Sequence, residues 1–207
     1  MVVGAVIKSF ASPSTSPRGL MWDGVTLWHC DSLADRIYQL NPITGAVIKF
    51  FASPNLVPRG LAWDGYTIWH ADFTALRIYQ LNPITGAVIK SFVGPNTEPW
   101  GLAWDGKTLW HSDSFTSLIY QLNPITGAVI KFFASPDLVP RGLAWDGKTL
   151  WIATDNLNRI YQVNPITGAV IRWFASPDLD PQGLTWDGKT LWVSTDNLNR
   201  IYQLETH

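Results

Sequence analysis

The stretch "RGLAWDG" spans Arg59–Gly65 and returns unchanged at Arg141–Gly147. "RGLMWDG" stands at Arg18–Gly24, "WGLAWDG" at Trp100–Gly106 and "QGLTWDG" at Gln182–Gly188. The Trp-Asp-Gly triplets begin at Trp22, Trp63, Trp104, Trp145 and Trp186, and every interval is 41 residues. A period near 40 with several short strands per unit indicates a radial array of small sheets. Five units account for nearly all of the 207 residues, which predicts one domain over 1–207, without linker or second domain.

The fourth unit shows how a repeat reads. Gly142-Leu143-Ala144-Trp145 forms strand A, and Asp146-Gly147 supplies a hairpin turn, Gly tolerating positive φ there. Thr149–Ala153 is strand B and Arg159–Val163 strand C. Asn164-Pro165-Ile166-Thr167-Gly168 is a turn, and Ala169–Phe174 is strand D. Both faces of the strands are apolar because each sheet is covered by a neighbour on either side. Gly4–Phe10 reads as a D strand with no A, B or C before it, and Ile201–Leu204 as a C strand with no D after it. The expected fold is therefore an all-β, five-bladed β-propeller with four antiparallel strands per blade. The N-terminal D strand pairs with the C-terminal blade and closes the ring. Lys8, Lys49, Lys90, Lys131 and Arg172 recur on strand D, where charge at an outer edge opposes aggregation.

Composition narrows the function classes. Lys plus Arg is 15 against 16 for Asp plus Glu, which excludes the concentrated basic field of a nucleic-acid surface. No apolar run is long enough to span a membrane. Cys30 is the only cysteine, so no intrachain disulfide and no cysteine-based zinc site can form. No charged leader with an apolar segment opens the sequence, and no compartment follows from it. A monomer is expected.

Ten of the twelve tryptophans recur in every repeat, the Trp22 series on strand A and Trp28, Trp69, Trp110, Trp151 and Trp192 on strand B. Tyr38, Tyr79, Tyr120, Tyr161 and Tyr202 do the same. Repetition in every blade points to packing between blades.

Asymmetry lies elsewhere. The A–B and C–D turns share one end of the ring and hardly vary. The D–A and B–C loops share the other end and diverge, so a single site is expected there. Strand A begins with Arg18, Arg59 and Arg141 in three repeats, and with Trp100 and Gln182 in the other two. These five positions are expected to circle the axial mouth, with arginine gripping ligand oxygens and Trp100 as a stacking platform. Glu98, the one Glu within the blades, lies in the preceding loop. His29, His70 and His111 occupy one position in blades 1 to 3, each followed two residues later by Asp31, Asp72 and Asp113. They form a candidate acid–base or polar cluster, spaced too widely for three histidines to share one metal. Gly19, Gly60, Gly101, Gly142 and Gly183 are expected to line the axial channel, with ordered water or one structural Ca²⁺ on their backbone oxygens and no cofactor required.

The segment PRGLAWDGKTLW at Pro140–Trp151, followed by NRIYQVNPITGAVI from Asn158, resembles a broad group of propeller repeats. It includes NHL and YVTN repeats, virginiamycin B lyase-like proteins and five-bladed glutaminyl cyclotransferases. In the last blade, Pro181–Leu184 through Ser194-Thr195 is most similar to the cyclotransferase version. Those enzymes use Glu near the channel, a role only Glu98 could take. The lyase-like proteins place an acidic residue after strand B, which Asp31, Asp72 and Asp113 match, whereas the lyase's histidine motif has no counterpart. NPITGAVI is identical four times, which suggests recent amplification of one blade or deliberate assembly. The leading expectation is a non-catalytic binding or scaffold module for a glycan or small polar ligand on the D–A/B–C face. One alternative is a lyase- or cyclotransferase-like enzyme built on the His/Asp set. The other is a protein-binding platform presenting Leu56, Leu138 and Leu157.

Overall fold

Each repeat closes its first turn on its own aspartate. In blade 1, Asp23 Oδ1 accepts the backbone N–H groups of Val25 and Thr26, while Oδ2 accepts the Thr26 hydroxyl and the Trp28 indole N–H. Burial raises the Asp23 pKa, these bonds lower it, and the bonds win, leaving it below the ordinary carboxylate value. Asp64, Asp105, Asp146 and Asp187 behave alike. One carboxylate thus shapes the A–B hairpin and fixes the largest side chain of strand B.

The computed structural model describes residues 2–206, so Met1 and His207 lie outside the described residues. Strand β1 is Val6–Ala11. Blade 1 comprises β2 (Pro17–Trp22), β3 (Leu27–Asp31), β4 (Arg36–Leu40) and β5 (Val47–Ala52). Blade 2 comprises β6 (Pro58–Trp63), β7 (Ile68–Asp72), β8 (Arg77–Leu81) and β9 (Val88–Val93). Blade 3 follows with β10 (Pro99–Trp104), β11 (Leu109–Asp113), β12 (Leu118–Leu122) and β13 (Val129–Ala134). Blade 4 holds β14 (Pro140–Trp145), β15 (Leu150–Thr154), β16 (Arg159–Val163) and β17 (Val170–Ala175). Blade 5 holds β18 (Pro181–Trp186), β19 (Leu191–Thr195) and β20 (Arg200–Leu204), and β1 supplies its fourth strand, antiparallel to β20. The ring closes as expected. Among the described residues no helix is long and apolar enough to cross a membrane.

Strand limits differ slightly from the sequence reading. Strand A of blade 4 starts at Pro140 because Pro140 pairs with Thr154 across a register shift. Thr149 belongs to the turn, its hydroxyl bound to Asp146, and Ala169 belongs to the next turn, its N–H held by Thr167.

The core is five wedges between adjacent blades. The wedge of blades 1 and 2, for example, contains Met21, Trp28, Ile37, Leu61 and Ile68. Near the axis the glycines set the spacing: a Cβ on Gly19 would lie 2.4 Å from the Arg59 carbonyl oxygen of the next blade, and one on Gly101 2.2 Å from that of Arg141. Strands β2, β6, β10, β14 and β18 pack backbone to backbone there. Ser112 and Ser194 bridge these strands by accepting from the N–H of Gly101 and Gly183 and donating to the carbonyls of Arg141 and Arg18. Cys30 makes the same bridge in blade 1, and burial pushes its thiol up to about 12.

The D-strand cations are not free edge charges. Lys8, Lys49, Lys90 and Lys131 donate to the carbonyls of Pro42, Pro83, Pro124 and Pro165 in the following blade, and Arg172 to that of Thr206. Each also covers its own blade's strand-B tryptophan, Lys90 lying 5.2 Å from the Trp69 ring centre. They clamp neighbouring blades.

Candidate ligand-binding site

At the D–A/B–C end, Pro17, Pro58, Pro99, Pro140 and Pro181 open the five A strands and deliver the next residue to the mouth. Three of the residues before these prolines lie in the left-handed region: Val57 at φ 60°, Val139 at 54° and Asp180 at 55°. For β-branched valine this is strained backbone. It falls two residues before Arg59 and Arg141. The Val57 N–H is held by Asp35 and the Asp180 N–H by Asn158.

The mouth residues form a connected set. Arg18 bridges to Asp196 of blade 5 at 2.7 Å and also reaches Ser16 and Ser32. Arg141 bridges to Asp155 at 2.6 Å and donates to Gln182 at 3.4 Å. Gln182 in turn donates to Asp180. Burial, reinforced by Asp155, raises the Asp180 pKa. Trp100 is buried, with the Arg59 and Arg141 guanidinium groups 3.9 Å and 3.8 Å from its ring centre. A sugar ring therefore finds no free face on Trp100.

Arg59 is unlike its two counterparts. The position filled by Asp155 in blade 4 is Phe73 in blade 2, and its ring lies 5.3 Å from the Arg59 guanidinium. No carboxylate lies within ion-pair distance of Arg59 among the described residues. Its Nε and Nη1 are buried without partners, as are Trp100 Nε1 and Arg141 Nε. Burial, with repulsion from Arg18 and Arg141, pulls the Arg59 pKa down to about 9. Four unsatisfied N–H donors thus gather around one indole. Glu98 does not neutralise them: its carboxylate accepts the Ser114 hydroxyl.

The histidines stand apart from the mouth. His29, His70 and His111 are fully buried, each against its own blade's tyrosine at about 6 Å between ring centres. His29 and His70 Nε2 share hydrogen bonds with Ser12 and Ser53. Blade 3 has Gly94 at that place, and both ring nitrogens of His111 lack a partner. Blades 4 and 5 show the converse: Ser135 and Ser176 remain, Ile152 and Val193 replace His, and the two hydroxyls are orphaned. Burial lowers the pKa of His29 and of His111 to about 4.

Asp31 and Asp113 hold loops: Asp31 accepts the N–H groups of Ser16, Leu33 and Ala34, and Asp113 those of Glu98 and Thr116. Asp72 accepts from Ala75 and leaves Oδ2 unpaired, 3.8 Å from His70. In blades 4 and 5 the carboxylate has moved to the D–A loop, where Asp137 and Asp178 accept from Thr154 and Thr195. The His/Asp and Ile/Thr patterns are two solutions for pinning the same loop pair. No group of three His, Cys, Asp or Glu is placed to hold a metal among the described residues.

Between the five glycines the axis leaves no room for a water molecule. The axial space lies at the opposite end, a cavity of about 120 Å³ lined by Trp22, Trp63, Trp104, Trp145 and Trp186. Their positions were legible as a repeat, but not their exposure. The signal was one carboxylate per Trp-Asp-Gly turn with two tryptophans to serve: the strand-B indoles take it.

The ring of five four-stranded sheets, closed by β1, decides the architecture. The chain is a five-bladed β-propeller. This propeller is similar to a solved glutaminyl cyclase of Myxococcus xanthus, with a TM-score of 0.84 and 13% identity over 98% of this chain and 96% of that one. It is similar to a virginiamycin B lyase of Staphylococcus aureus, with a TM-score of 0.59 and 18% identity over 95% and 68%. The WD40 propeller domain of Doa1 gives 0.63 and 11% over 91% and 63%. No protein-family profile and no curated protein sequence matches the propeller. At these identities the likeness is one of fold, which carries many chemistries.

Proposed function

We propose that this propeller is a non-catalytic binding module that seats a small acid at the D–A/B–C mouth, its carboxylate on Arg59. The observation behind this is Arg59 itself, a partly buried guanidinium that among the described residues has no carboxylate partner and two unpaired donors, beside the unpaired Trp100 N–H. Leaving such donors unpaired is costly, and an incoming oxyanion would satisfy them through charge-assisted bonds. Asp180 and Glu98 at the same end offer acceptors for ligand hydroxyls, which favours a hydroxy acid or sugar acid over a neutral sugar; Gln182 is buried and already spent on Arg141 and Asp180. The strained loops before Arg59 and Arg141 add to the reading, since strain of this kind gathers at ligand sites. The enzyme alternative loses support because general acid–base catalysis needs a proton donor within reach of substrate, and His29, His70 and His111 are sealed in three separate blades.

Thermal shift and calorimetry with glucuronate, glycerate and glucose test this. The two acids are expected to raise the melting temperature and glucose to leave it unchanged, and Arg59→Gln is expected to remove the acid response. No response to any acid, or an undiminished one in Arg59→Gln, overturns the reading. A protein partner is the second reading. Leu56, Leu138 and Leu157 are 56%, 59% and 50% exposed on this face and do not fold back onto their blades.

A further inference from the structure

The axial cavity at the A–B end has its own chemistry, independent of the Arg59 mouth. Its wall carries five partly buried tryptophans, one from each blade, which also pack against the wedges between blades, together with Met21, Leu61 and Thr185. Among the described residues none of these indoles makes a hydrogen bond, in contrast to the strand-B indoles, all held by aspartate. Immediately after each wall tryptophan stands the turn aspartate, so Asp23, Asp64, Asp105, Asp146 and Asp187 ring this end. Hydrogen bonds keep all five below the ordinary carboxylate value despite burial, so they are ionised at neutral pH. The cations on the same turns are Lys107, Lys148 and Lys189, exposed to water, while blades 1 and 2 carry Val25 and Tyr66 there. The D-strand cations Lys8, Lys49, Lys90, Lys131 and Arg172 reach the same end, so the turn carboxylates are not in excess there.

We propose that this cavity binds a small organic cation, of the size of a trimethylammonium group. Aromatic walls attract such cations through the negative faces of their rings. Size agrees: an apolar cavity of about 150 Å³ holds benzene, and this one, at about 120 Å³, suits a slightly smaller group.

The test is an NMR titration of the ¹⁵N-labelled protein, read on the indole N–H signals. The probes are tetramethylammonium, choline, 3,3-dimethyl-1-butanol as the uncharged isostere of choline, acetate and Ca²⁺. Saturable shifts of the strand-A indoles with the two ammonium probes are expected, with the isostere bound about tenfold more weakly. Trp104→Leu, checked for fold by circular dichroism, is expected to weaken choline binding several-fold. No saturable shift with either ammonium probe overturns the proposal. So does equal binding of the isostere, which would make the cavity merely apolar, or a response of these indoles to acetate or Ca²⁺ alone. The comparison of choline with its isostere uses the unaltered protein and stands even where the tryptophan variant fails to fold.

Discussion

His111 is a side chain whose partner has been removed by a change 17 positions away. Ser12 and Ser53 serve His29 and His70 across that spacing, and Gly94 leaves His111 with nothing. A Cβ at Gly94 would meet its nearest atom, the Leu76 carbonyl oxygen, at an ordinary 3.5 Å, and Gly94 has no positive φ to relieve. Gly94→Ser is therefore expected to stabilise the protein by about 1 kcal/mol at pH 7, measured by urea unfolding. An unchanged or lower midpoint would show that the hydroxyl does not reach the ring. The same burial gives a pH dependence with a definite sign. The folded pKa of His29 and of His111, about 4, is below the unfolded value of about 6.5. Above pH 6.5 both states are neutral and stability is complete. As pH falls toward 4 the unfolded chain gains protons that the folded chain refuses, costing up to about 1.4 kcal/mol per histidine for each pH unit. His111→Ile, which copies Ile152 of blade 4, should flatten the decline of the urea midpoint between pH 6.5 and 4.5. An equally steep decline in that variant would assign it to other groups. Sequence comparison among the repeats displayed every one of these columns. It could not show that the Ser and His columns touch, because contact across a D–A loop is a property of strand register.

At the scale of the element, strand D does two jobs. Its cation ties the next blade and covers the tryptophan of its own. Lys90→Met keeps the aliphatic stem but loses the bond to Pro124 O and the charge above Trp69, and is expected to cost about 1–2 kcal/mol. Lys90→Arg should be nearly neutral, since Arg172 fills the role in blade 4. Equal urea midpoints for Lys90→Met and the unaltered protein would reduce the clamp to a surface contact. The strands themselves were readable to within two residues, because turn residues punctuate each repeat identically. The clamp was not readable, since a lysine on an outer strand looks the same whether it points to water or to a carbonyl 34 positions on. The mouth was readable as a place and not as a network: Arg18 finds its aspartate 178 positions away, in the loop of another blade.

For the whole molecule, the seam between β1 and β20 carries the closure. β1 brings Phe10 against Trp192 at 5.9 Å and Lys8 to Pro42 O, so it joins blade 5 to blade 1 as every other D strand joins its neighbours. Deleting residues 1–11 is expected to expose the wedge of Leu20, Tyr38 and Ile201 and to lower the melting temperature sharply. Adding a peptide of residues 1–15 should recover part of the loss. A truncated protein that melts like the full one would show that four complete blades and three strands suffice.

That seam also has a direction. Val6 sits opposite Leu204 at one end and Ala11 opposite Arg200 at the other, and Ala5 and Glu205 are joined by a hydrogen bond of 2.9 Å. A tensile force applied through residues 5 and 205 meets the antiparallel pair at one end, and its rungs break in succession, each bearing the load alone. Every other strand pair is shielded from that force until β1 has peeled away. The blade that makes the ring continuous under heat is thus the one that opens first under tension.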